Sequence, residues 1–165
     1  MWRRAWVNGV DHFEDYWPEP YRIIQNDGTG LLIQGTREWT DYSVSSEITP
    51  HLSKAAGIGA RVQGMRRYYA LLLYENKAKL VKALDGNRVL AEAEYHWETE
   101  NNYLLCLKVK GKSLQAWING QLLFQETDNE RPLLNGGVAF ICEEGCLESN
   151  YLAVKPETFF SEISE

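Results

Sequence analysis

Apolar and polar residues alternate along most of this chain with a period of two, the spacing of strands with one wet face and not the 3.6-residue spacing of amphipathic helices. The runs "YRIIQ", "GLLIQG", "YSVSSEIT", "GIGARVQ", "YYALLLYE", "AKLVKAL", "VLAEAEY", "YLLCLKVK", "SLQAWI", "QLLFQET", "GGVAFIC" and "NYLAVK" all have strand length. Between them stand "NDGTG", "REWTD", "LDGN", "KGK", "NG" and "NERPLLNGG", rich in the Gly, Asn and Asp that tolerate turn conformations. So many short strands in a single sheet would curl or split, so the pattern predicts an all-β fold, an antiparallel two-sheet jelly-roll sandwich. Helical spacing is confined to "TPHLSKAAG", expected to form a turn or two, and "PETFFSEISE", expected as a short tail helix. No repeat, linker or charge block divides the chain. One domain over residues 1–165 is expected, with residues 1–15 as a lead-in and 156–165 as a tail.

Parity assigns faces. In "GIGARVQG", Ile58, Ala60 and Val62 point one way, toward the core, and Gly59, Arg61 and Gln63 the other. If the "GMRR" turn pairs Gln63 with Tyr68, then Ala70, Leu72 and Tyr74 share the Arg61 face, and Tyr69, Leu71 and Leu73 point inward; a slip of one residue would reverse this. In "LKVKGKSLQAWINGQLLF", Leu105, Leu107, Val109, Leu114, Ala116 and Ile118 take the inward parity, Asn119-Gly120 is a two-residue hairpin turn, and Trp117 stands on the polar side with Gln115. Val138, Phe140 and Cys142 point inward, leaving Ala139, Ile141 and Glu143 on the other side.

Arg61, Gln63, Tyr74, Lys82, Trp117 and Glu143 are therefore the candidate ligand contacts, expected on one outward face of one sheet. Flat aromatic surface beside fork-like donors and a carboxylate suits a polyhydroxylated ligand, whose C–H patches rest on rings while its hydroxyls need directional partners. Arg would also engage a phosphate or carboxylate. The alternative is an ordinary wet sheet face with Arg and Glu as a structural pair. Trp39 and Asp41, in "REWTDY", read as a core-edge plug and a turn acceptor, and Trp97 as a loop anchor.

Composition narrows the field. A hydrophobic content of 44% with 24% charged residues is that of a globular domain, and no apolar run approaches the length of a membrane helix. "MWRRAWVNGVDHF" has no apolar segment behind its arginines, so a secretory signal is not expected. A net charge of −6 argues against a general nucleic-acid binder, which needs clustered cations. Cys106, Cys142 and Cys146 cannot all pair, so reduced thiols in a cytoplasmic compartment are expected; "CEEGC" lacks the partner ligands of a zinc site. No cofactor is implied, although calcium on hard oxygen ligands is conceivable, with Asp11, Glu14, Asp15, Asp128 and Glu148 as candidates by composition. There is no nucleophile elbow, phosphate loop or HExxH pattern, and the adjacent Glu143 and Glu144 alternate to opposite faces, which makes a poor acid–base pair for glycoside hydrolysis.

The order of motifs, most specifically "WTDYSV", "AGIGARVQG" followed by "YYALLL", and "KGKSLQAWINGQLLF", resembles the concanavalin-A-like and laminin-G-like β-sandwich domains. These include the domains of the 3-keto-disaccharide hydrolases and several carbohydrate-binding modules. "LIQGTREWTDY" and "ARVQGMRRYYALLL" look like the region C-terminal to the helical catalytic domain in some bacterial ADP-ribosylglycohydrolase family proteins. That resemblance implies a non-catalytic accessory module of a larger hydrolase, partnered by its catalytic domain and recognising a sugar or ribosyl group. The helical domain's acidic metal-binding motifs have no counterpart here. Two rivals stay open: a glycoside hydrolase of the 3-keto-disaccharide type, and an interaction domain that packs the Arg61 face against a catalytic neighbour.

Overall fold

The computed structural model describes residues 7–9, 12–14 and 21–157. Among them are thirteen strands and no helix. They are β1 (Val7–Gly9), β2 (His12–Glu14), β3 (Tyr21–Gln34), β4 (Tyr42–His51), β5 (Ala55–Gly64), β6 (Arg67–Tyr74) and β7 (Lys77–Leu84). β8 (Asn87–Glu94), β9 (Tyr103–Lys110), β10 (Ser113–Ile118), β11 (Gln121–Thr127), β12 (Gly137–Ser149) and β13 (Ala153–Pro156) follow. Every ladder is antiparallel.

One layer runs β11-β10-β9-β4, with β13 and the end of β12 sharing the far side of β4. The other runs from the second half of β3 through the first half of β12 to β5-β6-β7-β8. β3 and β12 pass together from one layer to the other, paired on both sides of a register shift between Glu143 and Gly145. The segments "YRIIQ" and "GLLIQG" are therefore one long strand and not two, because β12 supplies a continuous partner for both halves.

The core lies between the layers. Val44, Ile48, Leu105, Leu107, Leu114 and Ala116 from one meet Ile58, Leu71, Leu73, Leu80 and Phe140 from the other, all fully buried. These are the inward-parity residues, and their burial is the main term favouring the fold, about 25 cal/mol for each Å² of apolar surface removed from water. The helical turn expected over "TPHLSKAAG" does not form. His51 pairs with Cys146 and Ala55 with Glu143, so the backbone groups at both ends of the segment are committed to β12. In the expected tail helix, Pro156 closes β13, and residues 158–165 lie outside the described residues.

The zigzag fails at one place that matters. Ala60 pairs with Tyr69, but the next pair in that ladder is Gly64 with Arg67, so Arg61, Val62 and Gln63 stand against Tyr68 alone. Arg61 takes φ +50° inside this bulge. Val62 is turned to the open face of the sheet, where it packs with Leu31, Tyr68 and Ile141, and Arg61 goes to the core side. No helix among the described residues is long and apolar enough to cross a membrane.

Candidate functional site

Cross-strand rows build the open face of the β3-β12-β5-β6-β7-β8 layer. One row reads Thr29, Glu143, Ala55, Tyr74; the next reads Leu31, Ile141, Gly57, Leu72, Lys79; a third holds Ala139, Gly59, Ala70 and Val81. Small residues on β5 make a low floor that is itself buried, as are Leu31, Ala70 and Ile141 around it, whereas Tyr74, Lys79 and Glu143 at its rim are half-buried and reach solvent. Glu143 and Tyr74 flank Ala55 on the same face, two strand spacings apart, roughly 10 Å between backbones. Tyr68 lies six positions before Tyr74 on β6, about 20 Å away along the strand.

This relief creates two adjoining hollows that share Thr29, Tyr68 and Asn87. One, of about 240 Å³, is bounded by Leu72, Tyr74, Lys79, Ile141 and Glu143. The other, of about 460 Å³, extends to Met65, Arg66, Asp85 and Gly86 at the hairpin ends. Together they form a groove longer than one pyranose ring. The Lys79 ammonium sits 4.0 Å from the centre of the Tyr74 ring, a cation–π contact that fixes the ring's orientation. Lys54 lies 3.5 Å from the Glu143 carboxylate, and the nearby Tyr74 phenol and Glu143 raise its pKa, in that order. Burial, then the Glu143 charge, pushes the Tyr68 phenol up, so it stays a protonated donor; its hydroxyl makes no hydrogen bond among the described residues.

Of the six residues proposed from sequence, the structure brings two together here, Tyr74 and Glu143. Arg61 is corrected: 1% exposed, it is sealed beneath loops and donates to the carbonyls of Thr40 (3.0 Å), Gly111 and Leu133 (2.9 Å) and to the Asp41 carboxylate (2.9 Å). Desolvation lowers its pKa against the pull of Asp41. Lys82 is corrected on the same ground. It pairs across the ladder with Tyr69, an inward residue, so it points to the core side, 2.6 Å from the buried Asp128 and donating to the carbonyls of Glu130 and Arg131. A third hollow of about 330 Å³ beside it is lined by Arg88 and Glu130, which bond each other.

Gln63 is half-buried and donates to the Asn135 carbonyl (2.9 Å) and side chain (3.1 Å), closing β5 against the preceding-strand loop of β12. Trp117 is on β10, opposite Cys106 and Leu122, on the outer face of the other layer. Trp39 packs edge-on against Tyr42 at 6.0 Å as a plug beside the core, Asp41 accepts from Arg61 and the Gly111 amide, and Trp97 is buried in the core. Tyr68, Lys79, Thr29 and Asn87 were missed. For two of them the signal was present: continuing the parity of Tyr74 back along β6 reaches Tyr68, and pairing across the Glu75-Asn76 turn sets Lys79 opposite Leu72.

Among the described residues no cluster of three or more His, Cys, Asp or Glu is placed to hold a metal. Asp128 is occupied by Lys82 and Tyr69, Glu148 approaches His51 at 3.0 Å, and Asp11 and Asp15 lie outside the described residues, as does the side chain of Glu14. The three cysteines are free, with Cys142 in the core.

No protein-family model matches this chain, and no curated protein matches it in sequence. Solved structures do match in shape. Carbohydrate-binding module CBM66 from Bacillus subtilis superposes with a TM-score of 0.82 over 92% of this chain and 95% of that one, at 15% identity. The fold is a galectin-like jelly-roll sandwich. A Bacillus subtilis protein of unknown function with a galectin-like fold gives 0.70 over 93% and 90%, at 12% identity. The galectin LEC-6 of Caenorhabditis elegans gives 0.56 over 92% and 96%, at 11% identity. Identities this low speak for the jelly-roll alone.

Proposed function

We propose that the groove on the open face binds a saccharide without chemical turnover. The observation that carries this reading is the row Glu143–Ala55–Tyr74, which sets a carboxylate and an aromatic ring on either side of a low floor, with Tyr68 at the far end of the same groove. A saccharide lying along the groove stacks the C–H face of one ring on Tyr74 beside Glu143, and a later ring gives its hydroxyls to Asn87 and the Tyr68 phenol, about 20 Å along the strand. The shape likeness to a carbohydrate-binding module and a galectin supports the reading, although the chemistry rests on this chain's own residues. The two-carboxylate rival has less behind it: the smaller hollow is lined by one acid, Glu143, which is already ion-paired with Lys54. The resemblance to the region beside ADP-ribosylglycohydrolase domains adds a setting, an accessory module that holds substrate near a catalytic domain in the cytoplasm.

Glycan-array screening followed by calorimetry tests the proposal. Tyr74→Ala is expected to weaken binding at least about ten-fold, roughly 1.4 kcal/mol, and Glu143→Gln by a similar factor, with melting temperatures near wild type. Binding that survives Tyr74→Ala unchanged would put the ligand elsewhere.

A further inference from the structure

The charges lining the groove are not paired with one another. Its two lining carboxylates are each engaged by a neighbouring cation, Glu143 by Lys54 at 3.5 Å and Asp85 by Arg67 at 3.8 Å. Its two lining cations are not. Lys79 and Arg66 form no ion pair among the described residues: Lys79 rests on the Tyr74 ring, and the Glu92 carboxylate opposite it in the ladder is engaged by Lys77 at 3.5 Å. Arg66 is exposed at the hairpin end of the larger hollow. In a chain of net charge −6, the groove thus holds two cations that make no ion pair among the described residues, one in each hollow.

Resting on the reading of the groove as a saccharide site, we infer that its ligand is an acidic saccharide, with carboxylate or sulfate groups meeting Lys79 over the Tyr74 ring and Arg66 at the far end. Each cation does what its chemistry suits. The compact ammonium of Lys79 lies beside the stacking ring, so an acidic substituent of the stacked sugar falls within its reach. The planar fork of Arg66 takes an anionic group bidentately and is unspent by any neighbour. A neutral chain would leave both cations facing hydroxyls they could equally leave to water.

The experiment uses matched pairs: tetragalacturonate with its carboxyl-reduced tetragalactoside, and a sulfated oligosaccharide with its desulfated counterpart. Calorimetry is run on wild type, Lys79→Gln, Arg66→Gln and Tyr74→Ala. At least one acidic member is expected to bind about ten-fold or more tightly than its neutral counterpart, each glutamine variant to lose about five- to ten-fold on that member alone, and rising salt to weaken only it. The pair in which the preference appears distinguishes carboxylate from sulfate. Neutral and acidic members binding equally, or an acidic preference unchanged in both glutamine variants, would overturn the inference while leaving saccharide binding in place. Absence of binding to all four, or Tyr74→Ala binding as wild type does, would instead sink the underlying assignment of the groove, and the inference with it.

Discussion

Replacing Arg61 by Met keeps most of the stem volume and removes the guanidinium from the point where three loops meet over the end of the sandwich. Four acceptors lose a donor: the carbonyls of Thr40, Gly111 and Leu133, and the Asp41 carboxylate. A buried polar group left unpaired costs about 1–3 kcal/mol, and removing one partner of a buried ion pair costs about 3–5 kcal/mol. Asp41 is 22% exposed and rehydrates in part, as do the exposed Thr40 and Gly111, which places the net loss at the lower end, about 3–4 kcal/mol. For a chain of this size that lowers the melting temperature by roughly 6–16 °C. Urea unfolding followed by tryptophan fluorescence measures it, with unchanged m-values confirming that the two end states are comparable. Arg61→Lys keeps the charge without the fork and is expected to recover less than half of the loss. Stability within about 1 kcal/mol of wild type would refute the structural role. Loss of saccharide binding at unchanged stability would show that the guanidinium serves the ligand after all.

Asp128 predicts an acid limb. Burial alone would raise its pKa, but the hydrogen bonds from Lys82, Tyr69 and the Glu130 amide hold it below its ordinary 3.8. A depressed folded pKa contributes stability above the unfolded value and loses it as pH falls through the folded one. Wild type should therefore lose stability from about pH 4 downward more steeply than Asp128→Asn, and parallel curves would contradict this. Burial pushes the Cys142 thiol up to about 12, so at about pH 8 it should resist iodoacetamide until the protein unfolds; mapped labelling of native Cys142 would refute that. A methyl group on Gly57 would lie 1.9 Å from the Leu71 carbonyl oxygen, so Gly57→Ala should cost at least about 2 kcal/mol of stability by thermal unfolding. A melting temperature equal to wild type's would contradict that close approach.

The two-residue period, written locally in side chains such as Leu105, Leu107 and Val109 or Val138, Phe140 and Cys142, determined the strands, the all-β class and which of these residues fill the core, because alternation across a strand needs no knowledge of its neighbours. It also reached Tyr74 and Glu143, whose strands keep their zigzag up to those positions. Where the chain departs from that period, only the tertiary structure decided. The bulge at Arg61 exists because the end of β5 must fit beneath the Thr40, Gly111 and Leu133 backbones, segments remote in sequence whose carbonyls need a donor. Lys82 points inward because Asp128, 46 positions later, completes its pairing there. Trp117 belongs to the other layer because strand order, and not residue type, assigns a polar face to one sheet or the other. Local alternation fixes direction relative to a strand's own neighbours in the chain; which surface that direction opens onto is set by distant backbone and charge.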